Sequence, residues 1–158
     1  MKPQGPRTAV IGIGNPDRGD DGAGVALLER LRGQVGKDIA LIAHGGEATA
    51  LIELLQGATG AYLIDACRSG NPPGTLRRID ARACSLPWDG RASSTHGLGL
   101  AQALELARAL ELLPRRCVVY GIEGGSFAPG ARLSAAVLAA IDTLADRLIA
   151  ELNGHEMP

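Results

Sequence analysis

Apolar positions along the chain fall into short blocks whose period switches between strand and helix. Thr8–Ile13 is a continuous apolar run that predicts a buried strand, and the 3.6-residue periodicity of residues 25–31 predicts the helix after it. A second short run, 39–43, precedes a helical pattern at 48–55. A third strand is predicted at 61–64, ending on Asp65. Residues 68–74 carry Gly70, Pro72, Pro73 and Gly74 and read as a turn-rich loop. The strand expected at 75–79 alternates Leu76 and Ile79 with arginines, the pattern of an edge strand exposed on one face. Residues 97–112 form a long Ala/Leu-rich amphipathic helix ended by Pro114, residues 117–120 a buried strand, and Ser134 is the expected N-cap of the last helix. Strand and helix alternating at this spacing predict an α/β fold, a single doubly wound, mostly parallel twisted sheet of about five strands flanked by helices.

Composition agrees with one globular unit. The 158 residues are 46% hydrophobic, so residues 1–158 are read as a single domain with a core of about 8–152 and a frayed tail at 153–158. The formal charge is −1, the lysines are Lys2 and Lys37, and the pairs Arg77-Arg78 and Arg115-Arg116 are too short to form a basic patch. Neither a nucleic-acid partner nor a membrane surface is expected. The start of the chain lacks the apolar region of a signal peptide, and the C-terminal helix is broken by Asp142, Asp146 and Arg147, so a cytoplasmic location is expected. Cys67, Cys84 and Cys117 are odd in number, widely spaced and in no C-x-x-C arrangement, which predicts reduced thiols.

The chemistry concentrates in the loop after the first strand, Gly12-Ile-Gly14-Asn15-Pro16-Asp17-Arg18-Gly19-Asp20-Asp21-Gly22-Ala23-Gly24. Such strand-to-helix loops gather at the carboxyl edge of an open parallel sheet, where ligands bind. A dinucleotide loop would place a third glycine at position 17. Asp17 stands there instead, and Asp20 and Asp21 follow where a pyrophosphate needs backbone N–H groups without negative charge. The loop is suited to a cation. The plainer alternative is that Asp20 or Asp21 caps the following helix. Gly12 and Gly14 are expected to allow close backbone approach, and Asn15 to hydrogen-bond the turn.

Asp21, Asp65 at the end of the third strand and His96 just before the long helix all fall on one sheet edge. Two carboxylates and an imidazole can hold a divalent transition metal with open positions, the imidazole favouring nickel or zinc over magnesium. Taken singly, Asp65 is equally a solvated strand-end residue, and His96 a helix-start residue beside the capping residues Ser93, Ser94 and Thr95.

The strings GIGNPDRGDDGAG, LIDACRSGNPPGT, STHGLGLAQALELA and VVYGIEGGSF, in that order and spacing, resemble the nickel-iron hydrogenase maturation endopeptidases over nearly the whole chain. The resemblance implies a three-layer αβα fold and makes Asp21, Asp65 and His96 the catalytic and metal-binding set. It further implies that they grip nickel already inserted in a hydrogenase large-subunit precursor, so that a C-terminal peptide is cut only after metal loading. The nickel is then expected to arrive with the substrate, and other divalent ions to occupy the site in vitro. Where many members carry Asp-Gly-Gly-Thr, this chain has His44-Gly45-Gly46-Glu47-Ala48-Thr49, which looks more like the branch associated with bidirectional hydrogenases. Glu47 is read either as a helix N-terminal carboxylate or as a substrate contact, and His44 either as a solvated loop residue or as a further ligand.

Peptide hydrolysis requires an activated water or a nucleophile and stabilisation of an oxyanion. No serine triad is legible, and Gly124-Gly125-Ser126-Phe127-Ala128 lacks the last glycine of a nucleophile elbow. Cys67 is the candidate nucleophile, against the metal-assisted route in which a carboxylate shuttles the proton. A monomer acting on the precursor is the leading expectation. A non-catalytic checkpoint module that binds nickel-loaded precursor and a nucleotide-binding module are the alternatives.

Overall fold

The computed structural model describes residues 7–87 and 97–154. Strands β1 (Thr8–Ile13), β2 (Ile39–His44), β3 (Gly60–Cys67), β4 (Leu76–Asp80) and β5 (Arg116–Glu123) form one sheet in the order β2-β1-β3-β5-β4. Every pairing is parallel except the antiparallel pair of β4 with β5. Among the described residues the helices are α1 (Ala23–Leu31), α2 (Ala48–Gln56), α3 (Gly97–Ala109) and α4 (Ala135–Leu152), with a 3-10 turn at Gly19–Gly22 ahead of α1.

The two-residue period of the strands divides the core. Val10, Tyr62, Ile64, Val118 and Ile122 face α1 and α4, packing on Leu27, Leu31, Ile141 and Leu144. Their neighbours Ile11, Ile13, Leu63 and Val119 face α2 and α3, packing on Leu51, Leu55, Leu100 and Leu104. β1 and β3 are buried on both faces, which is why their sequences run as unbroken apolar blocks. β2 and β4 are the edges. At the amino-terminal end of the sheet the Glu151 carboxylate accepts from Tyr62 (3.1 Å), Tyr120 (3.1 Å), Arg78 (2.9 Å) and Arg116 (2.9 Å), tying the end of α4 to three strands.

The chain leaves β1 for β2 on one side and returns to β3 on the other, with α1 and α2 on opposite faces. β1 and β3 therefore flank the topological switch point, where an open α/β sheet leaves a crevice at its carboxyl edge.

Most expected elements appear where the pattern put them, with differences at their ends; β5, expected at 117–120, runs on to Glu123. β3 continues to Cys67, so Asp65 lies inside a buried strand rather than at its tip. α3 stops at Ala109, ahead of Pro114, because Glu111 turns into the left-handed region at φ 58° and the Leu112 N–H reaches back to the Ala107 carbonyl. Among the described residues no helix is long and apolar enough to cross a membrane.

Candidate active site at the sheet switch point

The loop after β1 is drawn down onto the crevice by residues that lack side chains. Gly14 has φ 134°, and a Cβ there would overlap the Asp21 carbonyl oxygen; a Cβ on Gly24 would lie 2.6 Å from the Ile64 carbonyl oxygen. The Asn15 side-chain oxygen accepts from the Asp17 N–H at 2.9 Å, an Asx turn that reverses the chain. The Gly14 N–H donates to the His44 carbonyl at 3.0 Å, joining the loop to the end of β2.

Four acidic side chains are buried among the described residues: Asp20, Asp21, Asp65 and Glu123, none more than 2% exposed. Two are saturated with donors. Asp20 accepts from the N–H groups of Gly125 (2.8 Å), Ser126 (3.1 Å) and Ser134 (2.7 Å) and from the Ser134 hydroxyl (2.9 Å). Burial works to raise its pKa, but these donors outweigh that, and the carboxyl is held below its usual range. Glu123 accepts from the Ser69 N–H (2.7 Å), the Ser69 hydroxyl (2.8 Å), the Gly70 N–H (3.0 Å) and the Cys67 thiol (3.3 Å). It too stays below its ordinary value despite burial. Both are anionic struts between loops.

The other two form the candidate site. Asp21 accepts from the Asn15 N–H at 2.9 Å. Neither oxygen of Asp65 has a well-formed hydrogen bond among the described residues. Burial first, and the neighbouring Asp21 charge second, push the Asp65 carboxyl from 3.8 up to about 8, and the Ala66 N–H does not offset them. Such a carboxyl keeps its proton at neutral pH unless a cation takes the proton's place. The donor chemistry fits a divalent metal.

The structure thus brings Asp21 and Asp65 together across the switch point. His96, the third expected member, lies outside the described residues. The first turn of α3, which follows it, rests on the β2–α2 loop, where a Cβ on Gly99 would overlap the Gly46 carbonyl oxygen. Neither aspartate caps α1, whose N-cap is Gly22 with no side-chain bond. Asp20 reaches α4 instead, and Ser134 sits at that N-cap with its hydroxyl committed to Asp20.

His44 and Glu47 resolve into separate roles. The Glu47 carboxylate accepts from the Thr49 N–H (3.0 Å) and the Ala50 N–H (2.9 Å), capping α2. The Gly46 N–H donates to His44 Nδ1 at 2.8 Å, and burial holds the imidazole below its usual pKa. The ring is neutral with its proton on Nε2, a donor rather than a metal ligand. Cys67 is a poor nucleophile: it is buried, and burial followed by its hydrogen bond to Glu123 pushes the thiol well above its ordinary value. Sequence reasoning assigned no role to Glu123, although a carboxylate ending an apolar strand is the same signal that marked Asp65.

A model of the hydrogenase maturation protease family matches residues 25–151. The chain belongs to that family. Among relatives, it is 33% identical over 116 residues to the hydrogenase expression/formation protein HoxM of Cupriavidus necator, covering 72% of this chain and 57% of that one. It is 28% identical over 151 residues to HupD of Thiocapsa roseopersicina, covering 89% and 68%. The chain thus spans somewhat more than half to two thirds of the length of these relatives. Among solved structures, the hydrogenase maturating endopeptidase HybD from E. coli superposes with a TM-score of 0.77 at 25% identity, over 93% of this chain and 92% of that one. The hydrogenase 2 maturation peptidase from Thaumarchaeota archaeon SCGC_AB-539-E09 gives 0.68 at 26% identity, over 95% and 99%. The maturation-protease fold accounts for the five-stranded, mostly parallel sheet and its flanking helices.

Proposed function

We propose that this chain is an endopeptidase that removes a C-terminal peptide from the nickel-loaded large-subunit precursor of a nickel-iron hydrogenase, with the bound nickel as the recognition signal. The observation that carries the reading is the Asp21–Asp65 pair: two buried carboxyls at the sheet switch point, one of them short of hydrogen bonds and holding a proton, in a chain of the maturation-protease family. Asp21, Asp65 and His96 are the residues assigned to hold the metal and to act in catalysis. Nickel delivered by the precursor supplies a Lewis acid at the scissile carbonyl. Asp65 would give up its proton when the cation enters, leaving a carboxylate to hold it. Asp21 is kept in register by Asn15 on one side and by the Asp20 strut on the other.

The free thiols of Cys67, Cys84 and Cys117 fit a reducing compartment, which supports a cytoplasmic location. The test is incubation of the purified chain with nickel-loaded and nickel-free precursor, read by intact-mass spectrometry. A C-terminal mass loss restricted to the nickel-loaded form is expected. Tight binding of that form with no loss of mass would identify a checkpoint module instead.

A further inference from the structure

We propose that Arg68 reads the substrate at this site: it is a cation fixed beside the Asp21–Asp65 crevice that receives a carboxylate of the bound peptide. The inference rests on the peptidase reading above. Arg68 directly follows Cys67, the last residue of β3, and is three residues beyond Asp65. At about 3.3 Å per residue, that places its backbone roughly 10 Å from the Asp65 backbone, two or three residues along an extended peptide whose scissile bond lies at Asp65.

Its position is set from two directions. The guanidinium carbon sits 4.7 Å from the centroid of the Phe127 ring, and that ring is buried in the space that Gly124 leaves open. The backbone immediately after it is held by the donation of the Ser69 and Gly70 N–H groups to Glu123, and the Gly74 N–H closes the loop on the Glu123 carbonyl at 2.7 Å. The loop is exposed yet anchored. A side chain stacked on a fixed ring loses little further entropy on binding, and stacking leaves the edge of the guanidinium free to donate.

Those donors are uncommitted. Among the described residues Arg68 makes no ion pair and no side-chain hydrogen bond, whereas Arg78, Arg108 and Arg116 are each engaged by a carboxylate. The planar fork matches a carboxylate with two parallel bonds. The carboxylate comes either from an acidic side chain near the scissile bond or from the terminus of the tail.

The experiment measures binding and cleavage of nickel-loaded precursor by the wild type, Arg68→Ala, Arg68→Lys and Phe127→Leu. Circular dichroism serves as the fold control. Arg68→Ala is expected to weaken precursor binding and raise KM by about tenfold or more, with kcat changed little. Arg68→Lys should recover part of that loss. Precursors with acidic tail residues changed to amides, or with the tail lengthened by neutral residues, identify the source: the Arg68→Ala effect should vanish on whichever substitution removes or displaces the partner. Unchanged binding and KM in Arg68→Ala, or an equal loss on every precursor, would overturn the assignment. Binding decides it even where the wild type leaves the precursor uncut, an outcome that sinks the peptidase reading alone.

Discussion

Replacing Asp65 by Asn should stabilise the metal-free protein, and by an amount that grows with pH. The folded-state pKa of Asp65 is raised from 3.8 to about 8, so between those values the folded chain binds more protons than the unfolded chain. Stability therefore falls as pH rises through that window. Below it Asp65 costs nothing, and above it the full cost is present. Integrated from pH 5 to pH 7.5, the loss attributable to this carboxyl is about 3 kcal/mol at most. An amide has no proton to lose and nearly the same shape. The gap between Asp65→Asn and wild type should therefore widen by up to about 3 kcal/mol over the same range, moving the urea midpoint by about 1 M or more. His44, whose pKa is lowered by burial, contributes with the opposite sign below its ordinary value. It does so equally in both proteins and drops out of the difference. The assay is urea unfolding with chelator present at pH 5, 6, 7 and 7.5, followed by fluorescence or circular dichroism. A gap that stays constant with pH within about 1 kcal/mol refutes the argument, because Asp65 would then ionise in the fold as it does in the unfolded chain.

Three further outcomes are expected. Asp20→Ala leaves the N–H groups of Gly125, Ser126 and Ser134 without their acceptor, and should destabilise the chain by at least about 3 kcal/mol at the usual cost of a buried unmet donor; a loss under about 1 kcal/mol in urea unfolding would mean that water replaces the carboxylate. His96→Ala should abolish precursor processing while Cys67→Ala keeps most of it, and a Cys67→Ala protein that is inactive with a native spectrum would return the thiol to the mechanism. Calorimetry of the free protein with nickel should give weak binding accompanied by proton release, seen as a heat that depends on the buffer's ionisation enthalpy; tight stoichiometric metal that survives a chelator would instead indicate a resident ion.

The architecture was legible because the buried strands β1, β3 and β5 read as short unbroken apolar blocks while helices such as α1 and α4 keep the 3.6-residue period, so the two kinds of element leave different marks on the sequence. What escaped was set by long-range hydrogen bonding. Asp20 meets partners 105 to 114 residues away, and Glu123 meets partners 53 to 56 residues away, separations at which no local pattern operates. The end of α3 was misplaced for a local reason of another kind. Pro114 is a visible stop, but Glu111 in the left-handed region ended the helix first, and glutamate carries no signal for that conformation. Glu47 shows the reverse: a carboxylate two and three residues ahead of its N–H partners is a cap that the sequence alone can propose.

Asp20 and Asp21 show why residue type could single out this loop without dividing the labour inside it. They are adjacent, equally buried and chemically identical, yet Asp20 takes four donors from the β5–α4 loop and the start of α4, whereas Asp21 turns to the Asn15 N–H in its own loop. The donor count separates Glu123, with four donors, from Asp65, with none of proper geometry among the described residues. A buried carboxylate with its lone pairs filled has no capacity left for a cation, and its charge serves to hold loops together. One left short of donors carries an energetic cost until a proton or a metal ion arrives. The saturated pair, Asp20 and Glu123, fixes the loops on either side of the switch point, beside which Asp65 is left short of donors. Asp20 and Glu123 are thus set apart from Asp65 by the donors around each, a quantity that only the folded chain contains.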